Sequence, residues 1–148
     1  QEYLKALPYF CKAAENNAQL GELQDNLDRI ISILNSQKEE NPQSLYQELT
    51  QGDSFEKSSQ ERVAFANSQC SQDTCSLFFT SELQPGEIVL PFLIHAVTST
   101  KKPISLANTS FDPQTSTIKI DISSKYQNTP LTFLFPTCQG IYYEAISS

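Results

Sequence analysis

The sequence predicts an α+β domain, with N-terminal helices packed on one face of a C-terminal antiparallel β-sheet arranged as a meander and two disulfides expected. Three observations carry this. Apolar residues recur at helical spacing before Cys70, and they alternate at period two after Cys75. The chain of 148 residues suits a single domain, 1–148, mainly helical over 1–69 and mainly sheet over 75–148.

Leu7-Pro8 marks a helix start, because proline at an early helical position gives up an N–H that has no partner there, and a helix is expected from about Pro8 to Asn16. The clearest periodicity follows: Leu20, Leu23, Leu27, Ile30 and Leu34 recur at spacings of 3, 4, 3 and 4. Ile31 and Ile33 widen that apolar surface. Ile33 stands off the seam, since successive helical residues are about 100° apart. Residues 35–42 read as a polar linker containing Lys38, Glu39 and Glu40. A short helix is expected over 44–50. A last one is expected to be capped by Asp53 or Ser54, to turn Phe55, Val63 and Ala66 inward and to end near Cys70.

Beyond Cys75 the signals are those of strands. Leu77 to Thr80 is apolar and aromatic, Pro85-Gly86 suits a type II turn, and 88–98 reads as one long strand. Lys102-Pro103 turns the chain into a short strand at 104–108, and residues 111–114 turn it again. Thr117 to Ser123 alternates cleanly, so Ile118, Ile120 and Ile122 are expected to face the helices while Lys119 and Asp121 face water. Leu131, Phe133 and Phe135 repeat the pattern, and Gln139-Gly140 turns into a final strand at 141–146.

Four cysteines allow three pairings. Cys70 and Cys75 enclose a turn-like Ser-Gln-Asp-Thr, which favours a Cys70–Cys75 staple and leaves Cys11–Cys138 as a long bridge. Structural zinc needs two close ligand pairs; here one exists, and Cys11, Cys138 and His95 are scattered. The chain opens on Gln1 and has no methionine, so a signal peptide or a membrane anchor is expected to have been removed from the N-terminus. Together with the even cysteine count this predicts an extracytoplasmic protein, periplasmic, cell-surface or secreted.

The net charge is −7, and 11 of the 17 acidic residues precede Cys70, which argues against nucleic acid and against anionic membrane surfaces as partners. The Lys101-Lys102 pair before Pro103 reads as a hairpin tip. The single histidine, His95, lies in an apolar strand and reads as structural. The chain lacks a G-x-S-x-G, a P-loop, a G-x-G-x-x-G and an H-E-x-x-H, so no catalytic, cofactor-binding or metal-binding residue is assigned. Asn108-Thr109-Ser110 matches a glycosylation sequon and reads as surface.

The layout, an N-terminal helix with a removed anchor and a C-terminal sheet with a late cysteine, is broadly similar to pilin-like subunits and other envelope-machine domains. The expected function is a non-enzymatic protein–protein interaction or assembly module of a cell-envelope, pilus or secretion apparatus. Ile31, Ile33 and Leu34 are its interaction residues, and self-association is expected through the helix from Leu20 to Leu34. One alternative is a carrier of a small apolar ligand lined by Phe78, Phe79, Phe92, Phe133 and Phe135; another is a hydrolase built around His95.

Overall fold

The computed structural model describes residues 2–16, 21–83, 87 and 89–147. Three helices come first: α1 (Glu2–Asn16), α2 (Gly21–Glu40) and α3 (Pro42–Gln51). Nine strands follow, with 3-10 turns at Pro91–Leu93 and Ser124–Tyr126. The class is α+β, and both disulfides form the expected pairs: Cys11–Cys138, with Cα atoms 5.5 Å apart, and Cys70–Cys75, 4.0 Å apart.

Each helix is set by its apolar spacing. In α1, Leu4, Leu7 and Cys11 form one buried stripe. The helix begins at Glu2, earlier than expected, and carries Pro8 inside it, because burial of Leu4 and Leu7 on the first turns outweighs the missing Pro8 N–H. In α2 the described buried residues are Ile30 and Leu34. This helix runs through residues 35–40, so the expected linker there is helical instead. Asn41 caps α3, its side chain accepting from the Ser44 N–H at 3.3 Å, with Pro42 at the first helical position. Gly52 ends α3: a Cβ there would stand 2.5 Å from the Glu48 carbonyl oxygen.

The strands divide between two sheets. The first has the order β1 (Glu56–Lys57), β9 (Ile141–Ser147), β8 (Leu131–Pro136), β4 (His95–Val97), β5 (Pro103–Ile104). Its β1–β9 pair is parallel and the rest are antiparallel. The second is antiparallel throughout, in the order β2 (Val63–Cys70), β3 (Thr74–Ser81), β7 (Thr117–Ser123), β6 (Asn108–Asp112).

The five-stranded sheet is the middle layer and is covered on both faces. Leu134, Val97 and Tyr142 meet the helices through Leu4, Leu7, Leu34, Leu45 and Leu49. Phe133, Phe135, Ala96 and Tyr143 meet the four-stranded sheet through Leu77, Phe79, Ile118, Ile120 and Ile122. This double burial explains why β8 reads as a nearly unbroken apolar run, Leu-Thr-Phe-Leu-Phe.

Three expectations change. Ile118, Ile120 and Ile122 face the other sheet rather than the helices, because their strand belongs to the outer sheet. The helix expected to end near Cys70 is instead β1 and β2, and β2 forms a hairpin with β3 in which Cys70 and Cys75 are direct partners. The long strand expected over 88–98 shortens to His95–Val97, since Pro91 opens a 3-10 turn; Ile88 and the Pro85-Gly86 turn lie outside the described residues.

The assigned faces carry a direct test. Ile120 is fully buried and Lys119 exposed, so Ile120→Ala should cost about 2 to 4 kcal/mol and Lys119→Ala under about 0.5 kcal/mol in urea unfolding. Equal small losses would place the buried face of β7 wrongly.

Candidate interaction groove

Beside its buried stripe, α1 carries a second one displaced by one residue: Tyr3, Ala6 and Phe10, again at spacings of 3 and 4. A shift of one residue turns the helix by about 100°, so this stripe points sideways from the sheet. On α2 the matching residues are Asn26, Arg29, Ile30 and Ile33. The two rows face each other across a groove of about 660 Å³. Tyr3 is exposed, Phe10 and Ile33 are half-buried, and Arg29 supplies the one charge among the described lining residues, its guanidinium donating to the Asn26 side-chain oxygen at 2.8 Å. The groove offers aromatic and aliphatic surface with one cationic handle, a composition common in contact surfaces between proteins.

The three expected interaction residues separate. Ile33 lines the groove. Ile31 is half-buried against the helix–sheet core, and Leu34 lies fully inside that core. Leu34 therefore holds the fold together and presents nothing to a partner, because it falls on the stripe of Ile30 that the sheet covers. Leu20 and the side chain of Leu23 lie outside the described residues. Sequence reading missed Tyr3 and Phe10; their spacing was available, but the early Pro8 placed residues 1–7 outside the expected helix.

His95 lies beneath the helices, 2% exposed. Its Nδ1 is 2.6 Å from the Leu93 carbonyl, which can only accept, so Nδ1 carries the proton and donates. Its Nε2 is buried without a hydrogen-bond partner. Burial, and secondarily the charge of Lys38, lower its pKa from 6.5 to about 4. The Tyr46 ring of α3 stands 6.3 Å away. His95 is thus enclosed by packing.

The five phenylalanines considered for a ligand cavity do not converge. Phe79, Phe133 and Phe135 pack on one another, with centroids of Phe79 at 4.9 Å and 5.1 Å from the other two. Phe78 pairs with Lys119 on the outer face of its sheet, and Phe92 packs under the helices. A different cavity, of about 340 Å³, opens beside the Cys70–Cys75 bridge, with Phe65, Leu77 and Ile122 as floor and Gln127, Asn128 and Thr129 as rim.

Among the described residues, no group of three histidine, cysteine or acidic side chains is placed to hold a metal ion, and no helix is long and apolar enough to cross a membrane. The chain matches no family model, and comparison with curated proteins and with solved structures gives no match.

Proposed function

We propose that this chain is a non-enzymatic assembly module working outside the cytoplasm, in a cell-envelope, pilus or secretion apparatus, and that it associates through the α1–α2 groove. The observation that carries this reading is the second apolar stripe of α1 facing Ile33. Tyr3 stands outside the core that Leu4, Leu7 and Cys11 build on the sheet, and Phe10, half-buried at the edge of that core, also lines the groove. Apolar surface left beside a completed core is surface available to a partner. Two disulfides, with no free cysteine among the described residues, favour an oxidising compartment.

The partner tested first is a second copy of the chain. Ile33→Asp places a charge in the groove while leaving the helix–sheet core intact. The variant should melt within about 3 °C of the parent, and the concentration-dependent association of the parent, read by sedimentation velocity, should disappear. A fall in melting temperature of more than about 10 °C would assign Ile33 to the core instead. A parent that stays monomeric at millimolar concentration would remove self-association.

A second reading, carriage of a small apolar ligand, is favoured by the cavity beside the Cys70–Cys75 bridge. Among the described residues that line it none is charged, so it suits a neutral molecule.

A further inference from the structure

The last turns of α2 place Lys38 four residues after the buried Leu34, on the same helical face, so its side chain runs into the layer between helix and sheet. Its Nζ reaches the Phe92 carbonyl of the 3-10 turn at 3.2 Å. That carbonyl is neutral, and among the described residues no carboxylate lies within ion-pair distance of Nζ. A cation so placed has given up most of its hydration without gaining an opposite charge. Burial accordingly lowers the amine from 10.5 to about 8. At pH 7.4 roughly a fifth of the molecules then carry the neutral amine, against about one in a thousand for an exposed lysine.

A cleft of about 500 Å³ opens at this amine. Pro91, Phe92 and Leu106 give it an apolar wall, and the amides of Asn35 and Asn108 stand on its lining. Among the described residues Glu39 is the one carboxylate on the lining. The lining as a whole is more polar than apolar, and it offers a small carbonyl compound a nucleophile for its carbon and neutral donors for its oxygen.

We propose that Lys38 is a covalent capture site for small aldehydes or ketones, which it holds as a Schiff base. The nitrogen lone pair attacks the carbonyl carbon; the C–N bond forms as the C=O π pair moves to oxygen. A proton passes from nitrogen to that oxygen, and with a second proton it leaves as water when the C=N bond forms. Amine and carbonyl become imine and water, with no change of oxidation state. The site is separate from the α1–α2 groove and does not depend on it.

The test uses the full chain with butanal and cyanoborohydride, which reduces any imine to a stable secondary amine, followed by peptide mapping. At pH 7.5 Lys38 should be butylated about tenfold faster than the exposed Lys101 and Lys102, with a rate that rises through a midpoint near pH 8. Labelling of Lys38 no faster than of those two would overturn the proposal, and this comparison needs no variant. Lys38→Arg retains the charge and the reach to Phe92; it should abolish the fast labelling with the melting temperature unchanged. Fast labelling that persists in the variant at another lysine would equally overturn the assignment.

Discussion

Replacing Cys11 and Cys138 together by alanine should lower the unfolding free energy by about 4 to 5 kcal/mol, a large part of the stability of a domain this size. The bridge spans 127 residues, so cutting it returns a long loop to the unfolded ensemble. It also sits where local structure has prepared it. Cys11 closes the buried stripe of α1, and Cys138 lies in the turn before β9, whose Gly140 adopts φ 81°, a conformation costly for other residues. A Cβ on that glycine would meet Pro8 of α1 at 3.6 Å, an ordinary packing distance, so it is the backbone angle rather than space that calls for glycine. The Cys70–Cys75 bridge spans only 5 residues and closes a hairpin already held by the Ser71 N–H to Thr74 carbonyl bond, so its removal should cost about 2 kcal/mol. Urea unfolding of the two double variants checks the order. A smaller loss for the long bridge than for the short one would mean that α1 is not fastened to the β8–β9 turn.

Acidification should produce the second large effect, through His95. Its folded pKa, about 4, lies below the ordinary 6.5, so the fold prefers the neutral ring. That preference contributes fully above about pH 6.5, declines as the pH falls, and is exhausted near pH 4; the difference is worth about 3 kcal/mol. The cause is visible around the ring. A proton on Nε2 would be a buried donor with no acceptor, and Lys38 of α2 already brings positive charge to the same layer. The ring's neighbour from α3 is the neutral Tyr46. The row of the sheet that carries His95 continues through Leu134 to Glu144, but that carboxylate is engaged by Lys57 at 3.2 Å. His95→Asn keeps a donor for the Leu93 carbonyl and removes the titration. Between pH 7 and 4 the parent should lose about 3 kcal/mol more than this variant in chemical unfolding; parallel curves would show that the ring does not control the acid response.

Sequence pattern revealed some parts of this structure and concealed others for physical reasons. Thr117 to Ser123 alternates without a break, and β7 occupies those residues. The alternation stated that Ile120 was buried but not against what, because period two defines a face and not the layer that covers it. β2 was hidden by its bulge between Phe65 and Asn67, which breaks the alternation and leaves five exposed residues at its end. β1 is two residues long and is created by its pairing with β9, so no local signal marks it. In the groove, Ile33 was legible as an isoleucine off the seam, whereas Leu34 was taken as contact surface when it belongs to the core. Lys38 was hidden by its charged neighbours Glu39 and Glu40: composition suggested a solvated linker, while the helix places one of the three beneath it.

The middle sheet joins strands far apart in the chain. β1, at residues 56–57, is held by β9, and the helices before residue 52 rest on Val97, Leu134 and Tyr142. The amino-terminal half therefore has no complete surface to settle on while it is being synthesised. Its helices must wait, amphipathic and uncovered, until residues 131–147 have emerged, and only then does the long bridge bring its two cysteines together. Such a chain is built to finish folding late.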